Sequence, residues 1–171
     1  MEVFGSHRPP IVSIVGRSNS GKTTLIEKLI PELRLRGHKI GTIKHTHHEV
    51  AIDRSGKDSA RHRAAGAEAV MLAAPGQISL VKAGASDSLD ELARYFENVD
   101  LLITEGFKRE PKPKIEVVRA VLGQELLCRA DPFLIAVATD AEMDLHVPVF
   151  RLDDPLPIAD FIESTLLGSR R

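Results

Sequence analysis

Residues 16–23 read Gly-Arg-Ser-Asn-Ser-Gly-Lys-Thr, and this stretch decides the fold because it matches the pattern G-x-x-x-x-G-K-[ST] in full. The two glycines allow a tight turn whose backbone N–H groups point inward, as a triphosphate requires. Lys22 reaches the β- and γ-phosphates, and the Thr23 hydroxyl is a ligand for Mg²⁺. The stretch therefore predicts a loop that binds the phosphates of a nucleotide together with Mg²⁺.

The residues on either side of this loop supply the structural context that such a motif needs. Ile11 to Val15 form a short apolar run rich in β-branched residues, which predicts a strand buried on both faces. Apolar residues at helical spacing from Leu25 to Leu33 predict a helix after the loop, with Gly37 as its stop. Pro31 lies inside this pattern and predicts a kink or a split into two helices. Strand, loop and helix follow one another as in a P-loop.

Further strands and helices alternate along the rest of the chain. Strands are predicted at 39–44, 101–104, 115–118, 133–138 and 147–150, a hairpin at 69–73 and 78–81, and helices at 59–65, after Ser88 and after Asp153 or Asp154. This order predicts the α/β class, with a P-loop NTPase-type three-layer fold and a mostly parallel sheet plus an antiparallel hairpin. Residues 1–10 are predicted to be a flexible lead-in, and residues 11–171 a single P-loop nucleotide-binding domain.

Composition excludes several classes of protein. The chain has 171 residues, and 23 Lys and Arg nearly balance 24 Asp and Glu, which argues against a protein that coats nucleic acid. One cysteine, Cys128, excludes a disulfide framework and a multi-thiolate metal site. The longest uncharged stretch, residues 69–81, is shorter than the roughly 18 apolar residues of a membrane span. No signal peptide is visible at residues 1–10, so we expect a cytoplasmic protein that contacts neither membrane nor nucleic acid.

An acidic residue is expected near the phosphate loop, at the tip of a neighbouring strand. The apolar run Leu101 to Thr104 is followed by Glu105, at the carboxyl end of the strand where ligands gather in open α/β sheets. The next residue, Gly106, lets the backbone bend close to the site. We therefore predict Lys22 and Glu105 as catalytic residues, and Thr23 and Glu105 as the residues that act on Mg²⁺.

Three polar segments each leave two interpretations open. The histidines between His45 and His48 fit either a transition-metal site or a polar loop that touches phosphate or an acceptor. The basic residues between Arg54 and Arg63 fit either a solvated helix face or a site for a second anionic ligand. Those between Lys108 and Lys114 fit either plain solubility or an acidic second substrate or partner.

One residue, Asp140, is a candidate for contacting the nucleotide base. The sequence has no N-K-x-D motif for guanine, but Asp140 ends a strand where such a carboxylate would sit. An aspartate accepts from the N1 and N2 donors of guanine and repels the N1 acceptor of adenine. Asp140 is therefore the predicted guanine contact, while the motif alone leaves guanine and adenine open.

Several stretches together resemble the MobB family of bacterial molybdopterin-guanine dinucleotide biosynthesis adaptor proteins. Besides the P-loop they are, in the family's order, TIKHTHH at 42–48, GKDS at 56–59, RAAGA at 63–67, EGFK at 105–108 and VATD at 137–140. The P-loop is shared by many families, whereas the histidine-rich and GKDS stretches are more specific. The chain departs from the family's pattern at Ser55, where proline is expected, and at Ala60, where an aromatic residue is expected.

The resemblance implies a homodimer that binds GTP and Mg²⁺, hydrolyses GTP slowly at most, and works beside a MobA-type guanylyltransferase, which joins GMP to molybdopterin. It also implies that the segments His45 to His48 and Arg54 to Arg63 face molybdopterin or another anionic ligand. The residues predicted to bind nucleotide or ligand are Gly16, Arg17, Ser18, Asn19, Ser20, Gly21, Lys22, Thr23, Thr24, Lys44, His45, His48, Lys57, Asp58, Arg63 and Asp140.

Three functions remain as hypotheses at this point. The first is a GTP-binding adaptor in molybdenum cofactor biosynthesis. The second is a small-molecule P-loop kinase whose basic loops bind the phosphoryl acceptor. The third is a metal-delivery GTPase that uses the segment from His45 to His48. Asp58, His45 and Glu105 are all candidates for orienting water in hydrolysis, and the sequence does not choose among them.

Overall fold

A six-stranded parallel sheet forms the centre of the fold in the computed structural model, which describes residues 8–46, 57–83, 88–123 and 125–168. The chain's strands are β1 (Ile11–Gly16), β2 (Ile40–Lys44), β3 (Ala69–Ala74), β4 (Gln77–Lys82), β5 (Leu101–Glu105), β6 (Lys114–Val118), β7 (Leu134–Thr139) and β8 (Val149–Arg151). The sheet has the order β2-β5-β1-β6-β7-β8, and every neighbouring pair is parallel. The loops after β5, β1 and β6 therefore leave the same edge of the sheet side by side.

Strand β1 is buried on both faces, as its apolar sequence predicts. Val12 and Ile14 are fully buried on one face, in the core cluster that lies under the helices. On the other face Ser13 is also fully buried, and its hydroxyl accepts a hydrogen bond from the Thr104 hydroxyl of β5 at 2.9 Å. The buried hydroxyl pair satisfies both polar groups and fixes β1 next to the strand that ends in Glu105.

Two of the helices cover one face of the sheet. The helices are α1 (Lys22–Leu35), α2 (Asp58–Ala64), α3 (Leu89–Leu92) and α4 (Pro155–Ile162). Helices α1 and α4 pack against each other, and apolar residues such as Leu29 and Ile158 share one core with the strands. Asp154 caps α4 by accepting from the backbone N–H of Leu156 at 3.2 Å. None of the helices in the described part of the chain is long and apolar enough to cross a membrane.

A kink or a split is the prediction for the first helix at Pro31, and the split is wrong. Helix α1 runs without interruption through Pro31, which is solvent-exposed. Proline removes one hydrogen bond to the carbonyl four residues earlier, that of Glu27, and this residue is exposed as well. The buried stripe on the opposite side of α1 compensates for the missing bond.

The structure groups the chain into two compact units, Met1–His45 with Leu92–Arg171, and Thr46–Glu91. In the second unit α2 precedes an antiparallel hairpin of β3 and β4, as predicted, and the hairpin is a two-stranded sheet of its own. Large apolar side chains of the hairpin are exposed, among them Met71 and Ile78, at 57% and 70%. The prediction of one domain over residues 11–171 stays a prediction.

Buried charges fasten the chain between β6 and β7. Lys114 is only 1% exposed and forms an ion pair with Asp131 at 3.0 Å, so its assignment to an exposed basic cluster is wrong. Glu116 is equally buried, and its carboxylate accepts from the backbone N–H groups of Leu127 and Cys128 at 2.7 and 2.9 Å. These contacts hold the β6–β7 connection firmly against the sheet.

An ion network ties the end of α1 to Asp160 of α4 and to Glu163, the residue after that helix. Arg36 contacts Glu32, Asp160 and Glu163, and the Nε2 atom of His38 lies 2.7 Å from Glu163. His38 is 4% exposed, so Glu163 is the partner of a buried imidazole. The hydrogen bond with His38 lowers the pKa of Glu163 below its ordinary value of 4.5, and the hydrogen bond from Arg36 adds a smaller effect in the same direction.

We expect Glu163→Gln to lower the free energy of unfolding by about 1 kcal/mol at neutral pH, because it removes a charged acceptor that is partly screened by solvent. Since folding lowers the pKa of Glu163, its contribution is complete above 4.5 and is lost as the pH falls through the folded-state value. Urea unfolding at a series of pH values should show the gap between the two proteins closing in acid. Asp153→Asn, which breaks an exposed pair with Arg151, is the control and should change little. A gap independent of pH would contradict the assignment.

Candidate functional site

The loop from Gly16 to Gly21 connects β1 to α1 and takes its shape from glycine. Gly16 has a φ of +142°, and a Cβ there would lie 2.4 Å from the carbonyl oxygen of Val117 in β6. Gly21 precedes the first turn of α1 with a φ of +101°. Asn19 also adopts a positive φ, of 61°. These conformations turn the loop tightly, so the free N–H groups at the start of α1 face it and favour an anion.

Lys22 lies directly above this loop. Its ammonium donates to the carbonyl oxygens of Gly16 and Arg17 at 3.2 and 2.7 Å. Burial lowers the pKa of Lys22 below its ordinary 10.5, with Glu105 opposing that shift and Lys44 adding to it. The side chain is thus held where the predicted phosphates would lie.

Thr23 and Glu105 meet as the sequence predicts. The Thr23 hydroxyl donates to Oε2 of Glu105 at 2.9 Å, and the Lys44 ammonium lies 3.5 Å from Oε1. Glu105 is at the end of β5, in register with Ile14 of β1, and its side chain is 15% exposed. A hydroxyl beside a carboxylate is an oxygen donor set that suits a hard cation such as Mg²⁺.

Protein ligands alone do not complete a metal site here. Within residues 8–46, 57–83, 88–123 and 125–168, no group of three or more His, Cys, Asp or Glu side chains is placed to hold a metal ion. Mg²⁺ keeps several waters and takes phosphate oxygens in nucleotide sites, so one hydroxyl and one carboxylate fit it. A site for a transition metal needs more nitrogen or sulfur ligands than this part of the chain brings together.

The turn after Glu105 is strained and contacts His45. Gly106 and Phe107 have φ angles of +100° and +55°, and the Gly106 N–H donates to the carbonyl of Ile14 at 3.0 Å. The backbone N–H of His45 donates to the Glu105 carbonyl at 3.0 Å, and its ring lies 4.6 Å from the Phe107 ring. His45 is therefore fixed by packing against this turn. His48 lies outside the described residues.

A cleft of about 570 Å³ opens on the other side of the loop. Its lining includes the loop residue Gly21, Thr24 of α1, and Asp140 after β7. The Asp140 carboxylate accepts from the backbone N–H of Ala120 at 2.7 Å and lies 3.4 Å from Arg119. The structure thus brings Asp140 and the phosphate loop to one cleft, where a nucleoside attached to the phosphates has room.

The remaining predicted residues fall into two groups. Arg17, Ser18 and Asn19 are exposed on the loop, with Arg17 3.6 Å from Glu125, whereas Ser20 is buried. The Ser20 hydroxyl has no hydrogen-bond partner among the described residues. The second group, Lys57, Asp58 and Arg63, belongs to the other compact unit, where all three are exposed at or on α2.

Sequence reasoning missed Arg119, the first residue after β6. It lines the cleft, and its Nε donates to the carbonyl of Ser20 at 3.4 Å. The available signal was its position, since side chains at the carboxyl ends of parallel strands gather at one edge of a sheet. A single arginine after an apolar run is also common as a surface charge, so the pattern does not distinguish the two.

Comparisons with known proteins agree on one family. Residues 11–140 match the family described as "MobB: Molybdopterin guanine dinucleotide synthesis protein B". The chain is 40% identical over 167 residues to a molybdopterin-guanine dinucleotide biosynthesis adapter protein of Haemophilus influenzae, covering 96% of this chain and 93% of that one. A protein of the same name from Escherichia coli is 37% identical over 161 residues, covering 90% of this chain and 91% of the relative.

Solved structures give the same result. The crystal structure of Bacillus subtilis MobB superposes with a TM-score of 0.75 at 32% sequence identity, covering 94% of this chain and 99% of that chain. The agreement extends over nearly the whole length of both chains, so it includes the P-loop unit with its six-stranded sheet.

We expect Gly16→Ala to lower the free energy of unfolding by about 3 kcal/mol, because the methyl group would overlap a backbone carbonyl that cannot move aside. Gly37→Ala is the matched control, since Gly37 also has a positive φ, of +88°, but nothing lies within 4 Å of the added Cβ. The control isolates the cost of the left-handed backbone, about 1 kcal/mol. Equal losses for the two variants in denaturant titrations would show that the contact with Val117 does not constrain the loop.

Proposed function

The chain belongs to the MobB family, and from that membership we propose that it is a GTP-binding adapter that acts with Mg²⁺ in molybdenum cofactor biosynthesis. Its proposed partner in the cytoplasm is a MobA-type guanylyltransferase. The observation that carries the proposal is the contact between Thr23 of the phosphate loop and Glu105, at 2.9 Å. It joins the two halves of a nucleotide–Mg²⁺ site that lie 82 residues apart in sequence.

Phosphate binding follows from the loop and Lys22. The N–H groups at the start of α1 supply donors and the positive end of the helix dipole. Lys22 exchanges the carbonyls of Gly16 and Arg17 for phosphate oxygens, which are stronger acceptors for an ammonium. Lys44, 3.5 Å from Glu105, adds a second positive charge on this side of the loop.

Thr23 and Glu105 would hold Mg²⁺, through the hydroxyl and through water. The ion supplies charge neutralisation at the phosphates. Glu105 is mostly shielded from solvent, which strengthens its attraction to a cation.

The choice of GTP over ATP rests on Asp140. Its carboxylate lines the cleft next to the loop, and an aspartate there accepts from the N1 and N2 donors of guanine. Its contact with Arg119 is long, at 3.4 Å, and each carboxylate oxygen accepts more than one hydrogen bond. The carboxylate therefore retains acceptor capacity toward a base.

The site favours binding over rapid hydrolysis. Of the three candidates for orienting water, the His45 ring packs on Phe107, and Glu105 contacts both Thr23 and Lys44. Asp58 is exposed on α2 and forms an ion pair with Arg61 at 3.5 Å. This supports an adapter with weak GTPase activity at most, in which occupancy of the site matters more than turnover.

The second unit supplies surfaces for the proposed partners. Lys57 and Arg63 are exposed at α2, and their charge suits molybdopterin phosphate or another anionic ligand. The hairpin exposes large apolar side chains, which supports a homodimer formed through this face.

We expect Lys22→Ala to weaken GTP binding about 100-fold, because two charge-assisted hydrogen bonds to phosphate are lost. Isothermal calorimetry with GTP and Mg²⁺ measures this directly. Lys39→Ala removes an exposed lysine at the opposite edge of the sheet and should leave the affinity unchanged. GTP binding that survives the loss of Lys22 would refute the phosphate site.

Glu105→Gln should reduce Mg²⁺-dependent GTP turnover more than GTP affinity, because the amide no longer attracts the cation while the phosphate contacts remain. Without Mg²⁺ the variant should bind GTP at least as well as the unmodified chain does, since it carries less negative charge beside the phosphates. The matched control is Asp100→Asn, because Asp100 is an acidic residue that immediately precedes the start of the same strand, β5. Equal loss of binding with and without Mg²⁺ would contradict the metal role of Glu105.

A further inference from the structure

Arg119 lies between the phosphate loop and Asp140. Its Nε reaches the Ser20 carbonyl in the loop, and its Nη1 reaches the Asp140 carboxylate, both at 3.4 Å. Its Nη2 lies 3.1 Å from the position that a Cβ on Gly21 would occupy. The guanidinium therefore rests against the start of α1 in space that only glycine leaves open.

The sheet order sets the direction in which a bound nucleotide would run. Glu105 meets Thr23 on the side of β5, so the Mg²⁺-binding end of the phosphates lies there. The cleft lies on the other side of the loop, where Arg119 directly follows β6 and Asp140 directly follows β7. A nucleotide with its terminal phosphates toward Glu105 must place its nucleoside over β6 and β7.

We infer that Arg119 binds the face of the purine ring of the nucleotide. This inference rests on the proposed function. It adds to the same site a contact that does not distinguish guanine from adenine. Asp140 lies at the edge of the ring and selects guanine, whereas the planar guanidinium stacks on the ring and accepts either purine.

The contacts of Arg119 suit a stacking role. Both of its hydrogen bonds are near the outer limit of length, and its side chain remains 39% exposed in the cleft. The nearby Arg151 differs, since it is held by Asp153 at 2.9 and 3.1 Å and is 80% exposed. Arg151 is therefore a matched control, an arginine in the same cleft whose guanidinium is held by two short hydrogen bonds to Asp153.

The test measures binding of GTP, ATP and inorganic tripolyphosphate, each with Mg²⁺, to Arg119→Lys and Arg151→Lys. Arg119→Lys keeps the positive charge but removes the planar guanidinium. We therefore expect GTP and ATP to bind about ten-fold more weakly, with the ratio of the two affinities unchanged. Tripolyphosphate should bind as it does to the unmodified chain, which also shows that the loop is folded. Arg151→Lys should leave all three affinities unchanged. Asp140→Asn should weaken the binding of GTP more than that of ATP. This difference distinguishes the contact of Asp140 with the edge of the ring from the contact of Arg119 with its face.

Four results would overturn the inference. Unchanged GTP and ATP affinities would remove Arg119 from the site. An equal loss for tripolyphosphate would make Arg119 a phosphate ligand, and a loss for GTP alone would make it an edge contact. Failure of the unmodified chain to bind either GTP or tripolyphosphate would refute the proposed function and the inference with it, whereas binding of both with no effect of Arg119→Lys refutes the inference alone.

Discussion

The rest of the structure depends on the parallel pairing of β1 with β5 on one side and β6 on the other. This pairing brings Glu105 next to Thr23 and brings the Val117 carbonyl against Gly16. Neither contact forms from local sequence, because each joins segments far apart in the chain. Once the three strands are paired, the loop after β1 has a carboxylate on one flank and the start of the β6–β7 connection on the other.

The two flanks differ in their chemistry. The β5 flank combines a hydroxyl, a carboxylate and two ammonium groups, which suits a cation bridged to phosphates. The β6–β7 flank is a cleft of about 570 Å³ with Arg119 and Asp140 in its lining, which suits the flat and less charged part of a nucleotide. The site therefore offers separate groups to the charged part and to the flat part of a nucleotide.

Much of this could be predicted from the sequence because the signals were local. The P-loop, its strand and helix, the hairpin, and Glu105 at a strand tip each depend on residues close together in the chain. The structure confirms these elements and places Thr23 2.9 Å from Glu105. The family resemblance is confirmed by the match over residues 11–140. The roles assigned to the site residues remain predictions.

What sequence reasoning missed was decided by distant partners. In the sequence Lys114 belongs to a cluster of basic residues, yet in the structure it is buried and forms an ion pair with Asp131. Pro31 reads as a break, yet the packed stripe of α1 carries the helix through it. Arg119 gains its position from the Ser20 carbonyl and from Asp140, neither of which is near it in sequence.

The carboxylate of Glu116 has a consequence for ligand entry. By accepting from the backbone N–H groups of Leu127 and Cys128 inside the protein, it fastens the segment that follows Arg119 to β6. The wall of the cleft is thus preorganised, and association loses little conformational entropy on that side. The opposite flank differs, since Phe107 there holds a φ of +55°, a backbone conformation that costs free energy for a residue with a side chain.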